Sequence, residues 1–258
     1  MIPKTIHYCW FGRNPKPKLA KKCIKSWKKH CPDYQIIEWN EDNFDVAAAP
    51  IYVQQAYQAK KWAFVTDYVR LYAMVNYGGI YMDTDVEVIK KLDPFLGHKA
   101  FSGFEDSIHI PTGIMGCEKD YPLFVELLQD YHDRTFLQSD GTYDLTTNVI
   151  LITEYCKHKG FTPNNQYQVI DGFALYPNDV FCPFNLSNLR LEKTQNTVTI
   201  HWFAGSWFDT KIRKKRHKDR KEQKRKDTID RIVHLPNRVA IKLLGQERYD
   251  RLKKRLKG

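Results

Sequence analysis

No stretch of about 18 apolar residues occurs in the 258-residue chain, so the sequence offers no membrane-spanning helix. The opening MIPKTIHYCWF has too short an apolar run for a secretory signal. The six cysteines, Cys9, Cys23, Cys31, Cys117, Cys156 and Cys182, form no CxxC pair and no zinc-finger spacing. A disulfide framework is therefore not expected. The pattern suits buried free thiols in a reducing cytosol. A Walker phosphate loop is missing too, as are internal repeats and a second carboxylate cluster, which leaves phosphoryl transfer without support.

Positive charge is abundant but uneven. Residues 211–258 carry twenty Lys/Arg against six Asp/Glu, whereas residues 1–210 carry twenty-one against twenty-four. The expected organisation is a mildly acidic body, 1–210, and a basic helical extension, 211–258. Such an appendage suits a polyanion, so nucleic-acid or polyanion binding through the tail is the alternative function. Against nucleic acid, the body is net acidic and no aromatics alternate with the basic run as a stacking surface requires. An anionic membrane surface is the preferred partner of 211–258. Fifteen tyrosines in an aromatic fraction of 14% suit a protein that grips sugar and base rings.

The body reads as alternating elements. Lys4–Trp10 and Tyr34–Trp39 are predicted strands enclosing an amphipathic helix, Lys16–His30, a βαβ opening that points to a parallel sheet. The spacing predicts a buried helix over Lys60–Tyr77, stopped by Gly78-Gly79. Further strands are expected at 80–82, 86–89, 100–104, 113–116, 169–175 and 197–202. Helices are expected at 121–132 and 146–159. From Lys211 to Lys226 the chain is nearly all charged and solvated. Helical spacing follows over 228–244, interrupted by Pro236, and over 247–256.

Three groups of residues could carry chemistry. Asp83-Thr84-Asp85 follows a short apolar strand, and two carboxylates one residue apart at a strand end can approach one hard cation. In isolation this is a common solvated turn. Its context is the 60–77 helix, apolar nearly all round, in which Asp67 and Arg70 lie one turn apart and can pair. The second group is His201-Trp202 with Gly205-Ser206-Trp207. It offers an imidazole, a hydroxyl and an indole to a metal, phosphate or sugar, although a core histidine is the simpler role. The third, His7-Tyr8-Cys9-Trp10, ends the first strand, where an aromatic is placed either to stack on a nucleobase or to fill the core.

Together the segments IPKTIHYCWFG, AFVTDYVRLYAMVNYGGIYMDTDVEV and IHWFAGSW resemble glycosyltransferase family 32, the bacterial capsule and lipopolysaccharide transferases with fungal mannosyltransferase relatives. The specific part is the order and spacing of D-x-x-R-x-x-x-L, GG-x-Y and D-x-D. The resemblance spans roughly residues 1–207 and excludes the tail. Ala63-Phe64-Val65-Thr66-Asp67 stands where relatives often have A-x-x-S-D, and Thr147-Asn148 where they often have Gly-Pro.

The resemblance implies a GT-A fold: a Rossmann-like mixed sheet flanked by helices, here with the basic helical tail. It implies a retaining transferase that moves a hexose, galactose favoured, from a UDP-sugar to a glycan or lipid-linked acceptor in surface polysaccharide synthesis. The cofactor would be Mn²⁺ or Mg²⁺. Asp85, with Asp83 and His201, would hold the metal. Asp67, Arg70 and Asp83 would hold the donor sugar. Trp10 or its neighbour Tyr8 would stack on uracil, Ser206 and Trp207 would meet the leaving diphosphate, and Asn148 would line the acceptor side. No side chain stands out as a covalent nucleophile. The cysteine pattern and the basic tail, rather than the resemblance, lead to the expected location: cytoplasmic, peripheral at the inner face of the cell membrane.

Overall fold

The computed structural model describes residues 1–205, 210–233, 241 and 244–255. The chain divides into two compact units, Met1–Asn185 with Leu191–Trp207, and Leu186–Arg190 with Phe208–Gly258.

The first unit is built on a seven-stranded mixed sheet. Its strands are β1 (Thr5–Cys9), β2 (Gln35–Trp39), β3 (Gly79–Met82), β5 (Ala100–Gly103), β6 (Ile114–Cys117), β7 (Gln168–Ile170) and β8 (Phe173–Tyr176), in the order β2-β1-β3-β6-β5-β8-β7. β1 runs parallel to β2 and β3, whereas β6 is antiparallel to both β3 and β5. This is the Rossmann-like mixed sheet expected of a GT-A domain. A separate antiparallel pair joins β4 (Val86–Val88) to β9 (Thr199–His201).

Alternation along the strands supplies two cores, because successive side chains leave opposite faces. Ile6, Tyr8, Ile80, Met82, Phe101 and Ile114 point to one side, where α1 (Lys18–His30) packs through Trp27 and Cys23. Cys9, Tyr81, Met115 and Cys117 point to the other, beneath α2 (Ile51–Gln58), α3 (Trp62–Tyr77), α4 (Pro122–Asp130) and α5 (Asn148–His158). α3 buries ten residues because its apolar side chains are spread around the whole barrel of the helix. Trp27 is fully buried and donates its indole N–H to Val86 O at 2.7 Å, tying α1 to β4.

The Gly78-Gly79 turn delivers β3 from α3. Both glycines have positive φ, 63° and 104°, and a Cβ on Gly79 would lie 2.7 Å from Thr5 O. His7 braces this turn from β1. Its Nδ1 accepts from Trp39 Nε1 at 3.1 Å and its Nε2–H donates to Gly78 O at 2.9 Å. Burial lowers its pKa to about 4, so the ring is neutral and serves the core.

One expected strand is corrected, and one helix is added. Residues 169–175 are not one strand but a hairpin, because Asp171 and Gly172 take positive φ and reverse the chain between β7 and β8. α2 was not anticipated. Pro50 precedes it, and Tyr52, Val53 and Ala56 form its short buried stripe. α6 (Asn178–Phe181) follows β8. In the second unit the charged run is itself helical, within α7 (Thr210–Val233), followed by α8 (Gln246–Arg255). Lys, Arg, Glu and Gln are good helix formers, so charge alone does not break the helix. Among the described residues no helix is long and apolar enough to cross a membrane. All six cysteines are buried and unpaired.

Gly116 tests the packing between β5 and β6. It pairs with Phe101, and a Cβ there would come within 2.2 Å of the phenyl ring. Gly116→Ala is expected to cost about 1–3 kcal/mol through overpacking. A urea melt that coincides with wild type would contradict this register.

Candidate active site

β3 ends at Met82, and its continuation Asp83-Thr84-Asp85 turns straight into β4. The turn is closed by Val86 N–H on Asp83 O at 2.9 Å, and Asp83 N–H is held by Gly113 O at 2.8 Å. Asp85 is fixed at both ends. Its main-chain O accepts from Trp202 N–H at 3.0 Å, and its Oδ2 accepts from Ala204 N–H at 2.6 Å. The chain reaches back this way because Phe203, just after β9, sits at φ 46° and stacks on His201 at 4.0 Å. His201 Nε2 lies 3.3 Å from Asp85 Oδ1. Gly113 gives the imidazole its space, since a Cβ there would approach His201 Cε1 to 2.7 Å. Ligand atoms of Asp83, Asp85 and His201 thus lie within 4.8 Å of one another.

Behind this group is a buried charge cluster. Arg70 Nη2 stands 3.4 Å from Asp67 Oδ1 and 3.3 Å from Asp83 Oδ1. Its Nη1 donates to Thr112 Oγ1 and, at 3.3 Å, to Thr112 O. The guanidinium lies over the Tyr81 ring at 4.8 Å, while Tyr81 OH donates to Asp83 Oδ1 at 2.9 Å. Asp67 in turn is gripped by the start of α5. Asn148 Nδ2 donates to Asp67 O at 2.6 Å, Asn148 N–H donates to Asp67 Oδ2 at 3.4 Å, and Tyr131 OH donates to Asn148 Oδ1 at 2.7 Å.

Exposure grades outward through the cluster. The side chains of Arg70 and Asp67 are 7% and 8% exposed, that of Asp83 28%. Asp67 and Arg70 therefore expose only an edge, and of the three Asp83 exposes most. Burial raises the Asp67 pKa to about 6 against the opposing pull of Arg70. Burial also disfavours charge on Asp85, but His201 and the Ala204 amide outweigh it and hold that carboxyl below its usual range. His201 moves the opposite way: burial pulls it down, and the Asp85 carboxylate lifts it well above its ordinary value.

The donor chemistry fits a divalent cation. Two carboxylates and an imidazole are oxygen and nitrogen ligands suited to Mn²⁺ or Mg²⁺. Three carboxylates gather here against one guanidinium and one imidazole, so negative charge is in excess in this cluster.

The expected site residues divide. Asp67, Arg70, Asp83, Asp85 and His201 converge. Trp10 lies partly exposed beyond the end of β1, with its indole N–H on Asn14 O at 2.6 Å and Lys16 Nζ 5.6 Å from its ring. Tyr8 is placed elsewhere: the strand alternation turns it under α1, edge-on to Trp27, with its hydroxyl donating to Glu38. Asn148 is fully buried and both ends of its amide are engaged, so it stands behind Asp67 and does not line an acceptor surface. Ser206 and Trp207 lie outside the described residues. Thr112, Gly113 and Tyr131 were missed, because their partners are distant in sequence. Tyr81 was visible only as the aromatic of the GG-x-Y turn.

Asp67 has a thermodynamic signature. Its carboxyl binds a proton at about pH 6 in the folded state, against 3.8 for the ordinary value. Between those pH values the folded chain holds more protons than the unfolded one, so stability rises as pH falls. At 1.36 kcal/mol per pKa unit the full effect is up to about 3 kcal/mol. Wild type should gain stability relative to Asp67→Asn as pH falls from 7 to 4 in urea melts. Parallel pH profiles for the two proteins would rule out this ionisation.

Known proteins give the context. Residues 17–102 match the family profile described as a glycosyltransferase sugar-binding region containing a DXD motif. Inositol phosphoceramide mannosyltransferase 3 of Schizosaccharomyces pombe is 29% identical over 132 residues, 50% of this chain and 37% of that protein. The chain therefore spans little more than a third of that relative's length. An uncharacterised glycosyltransferase of Acanthamoeba polyphaga mimivirus is 26% identical over 216 residues, 75% of this chain and 82% of that one. Among solved structures, PaToxG glycosyltransferase superposes with a TM-score of 0.45 at 20% identity, covering 60% of this chain and 70% of that one. The Asp83-Thr84-Asp85 turn lies inside the matched region, so this third of the chain is a glycosyltransferase sugar-binding region of the DXD type.

Proposed function

We propose that this chain is a retaining, metal-assisted glycosyltransferase that moves a hexose from a UDP-sugar to a glycan or lipid-linked acceptor. The observation that carries the reading is the convergence of Asp83, Asp85 and His201, from the β3–β4 turn and β9, within 4.8 Å. These three would hold Mn²⁺ or Mg²⁺. A bound divalent ion supplies Lewis-acid stabilisation of the charge that builds on the departing diphosphate. The exposed side of Asp83 and the edges of Asp67 and Arg70 would bind donor-sugar hydroxyls. Because those groups are already fixed by Thr112, Tyr81 and Asn148, they need little reorganisation as charge develops. Trp10 is assigned to the uracil, and Ser206 and Trp207 to the diphosphate.

Galactose was the favoured sugar on sequence grounds. The fungal relative named for mannose transfer to inositol phosphoceramide puts mannose beside it, and a phospholipid-borne acceptor beside a glycan. A role in surface polysaccharide synthesis, and a position at the inner face of the cell membrane held by the basic tail, belong to the same proposal.

The test is transfer from a panel of UDP-galactose, UDP-glucose and GDP-mannose to soluble acceptor glycans and to a phosphoinositol lipid, with Mn²⁺ or with EDTA. Hexosyl transfer should need the metal. Asp85→Ala should lower turnover by at least about a hundredfold, the scale of a lost Lewis-acid contact, with an unchanged circular dichroism spectrum. An Asp85→Ala enzyme turning over near the wild-type rate would remove the metal assignment.

A further inference from the structure

The body contains a cationic face that the site does not use. Residues 16–29 hold seven lysines and no Asp or Glu, a third of the twenty-one basic residues within a region that is otherwise rich in acid. Trp27, Cys23 and Ala20 occupy the buried side of α1, which drives the lysines outward. Lys16 pairs with Glu38 and Lys22 with Glu87. Among the described residues, Lys18, Lys21, Lys25, Lys28 and Lys29 have no carboxylate partner, and all five are exposed. Lys21, Lys25 and Lys28 follow one another at helical spacing. With Lys16, Tyr8 and Ile24 they line a shallow groove of about 350 Å³.

We infer that this face of α1 is a docking surface for an anionic phospholipid bilayer, independent of the basic tail and of the transfer reaction. Three features select a bilayer over a single soluble anion or a nucleic acid. Lys21 to Lys28 extends about 10 Å along the helix at 1.5 Å per residue, so the ammonium groups form a line and do not converge on one phosphate. Leu19 and Ile24 are partly exposed beside them, which gives the face an apolar component that headgroups and upper acyl chains accept and lysine stems flank. The groove itself offers no open ring for base stacking, since Tyr8, the one aromatic that lines it, is 6% exposed. Each lysine close to an anionic leaflet contributes attraction that falls off within a Debye length.

The experiment is co-sedimentation of the full chain with vesicles of phosphatidylglycerol and phosphatidylcholine, and with phosphatidylcholine alone, at about 0.1 M salt. The variant is Lys21→Gln/Lys25→Gln/Lys28→Gln, which keeps helix propensity. It is compared both in the wild-type chain and in a chain carrying Lys215→Gln, Lys218→Gln, Lys221→Gln and Arg225→Gln, which lowers the tail's charge from +14 to +10 and so reduces its masking of α1. At about fivefold per lysine, partitioning to anionic vesicles should fall by up to about a hundredfold in the tail-weakened background, with unchanged melting temperature and no binding to neutral vesicles. Three outcomes overturn the inference: wild type ignoring anionic vesicles, the triple variant binding them as before, or the triple variant losing only affinity for inorganic pyrophosphate or for a duplex oligonucleotide.

Discussion

One guanidinium shared between two carboxylates orders the candidate site. Arg70 reaches Asp67 on its own helix and Asp83 on the next strand, so a single side chain sets α3 against the turn that carries both DXD aspartates. Burying these charges is costly, and partners offset much of that cost: Thr112 and Tyr81 for Arg70, Asn148 for Asp67, while the buried Arg70 Nε has no hydrogen-bond partner. The preorganisation runs from the core outward, from fully buried Asn148 to the exposed side of Asp83.

The Gly78-Gly79 turn makes this arrangement possible. It lets β3 start immediately after α3, pressed against β1, and His7 and Trp39 seal it with neutral hydrogen bonds. The distance in sequence from Arg70 to Asp83 is thereby folded into direct contact. The third ligand, His201, arrives from the far end of the unit through the β4–β9 pair, and the positive φ of Phe203 returns the backbone onto Asp85.

Much of this was legible in the sequence because it is local. The α3 periodicity, the i,i+3 relation of Asp67 and Arg70, the double glycine and the D-x-D turn all lie between residues 62 and 85. What was not legible depends on distant partners or on details of backbone sign. Tyr8 lies within β1 and is covered by α1, whereas Trp10 lies just past the strand's end and stays partly exposed. Asn148 reads as an exposed polar residue at a helix start, yet it becomes a buried brace through contacts with Tyr131 and Asp67. The β7–β8 hairpin hides in an apolar run because the reversal falls on only two residues, Asp171 and Gly172. Lysines 16–29 were legible only as the polar side of an amphipathic helix. Their lack of partners emerges once β2 and β4 supply Glu38 and Glu87 to two of them alone.

The central claim is that Asp83, Asp85 and His201 are one cation site. Mn²⁺ binding followed by electron paramagnetic resonance in the presence of UDP tests it directly. The account predicts one saturable Mn²⁺ per wild-type chain, weakened at least tenfold in both Asp83→Asn and His201→Ala. Equal Mn²⁺ affinity in wild type and in these two variants would contradict it.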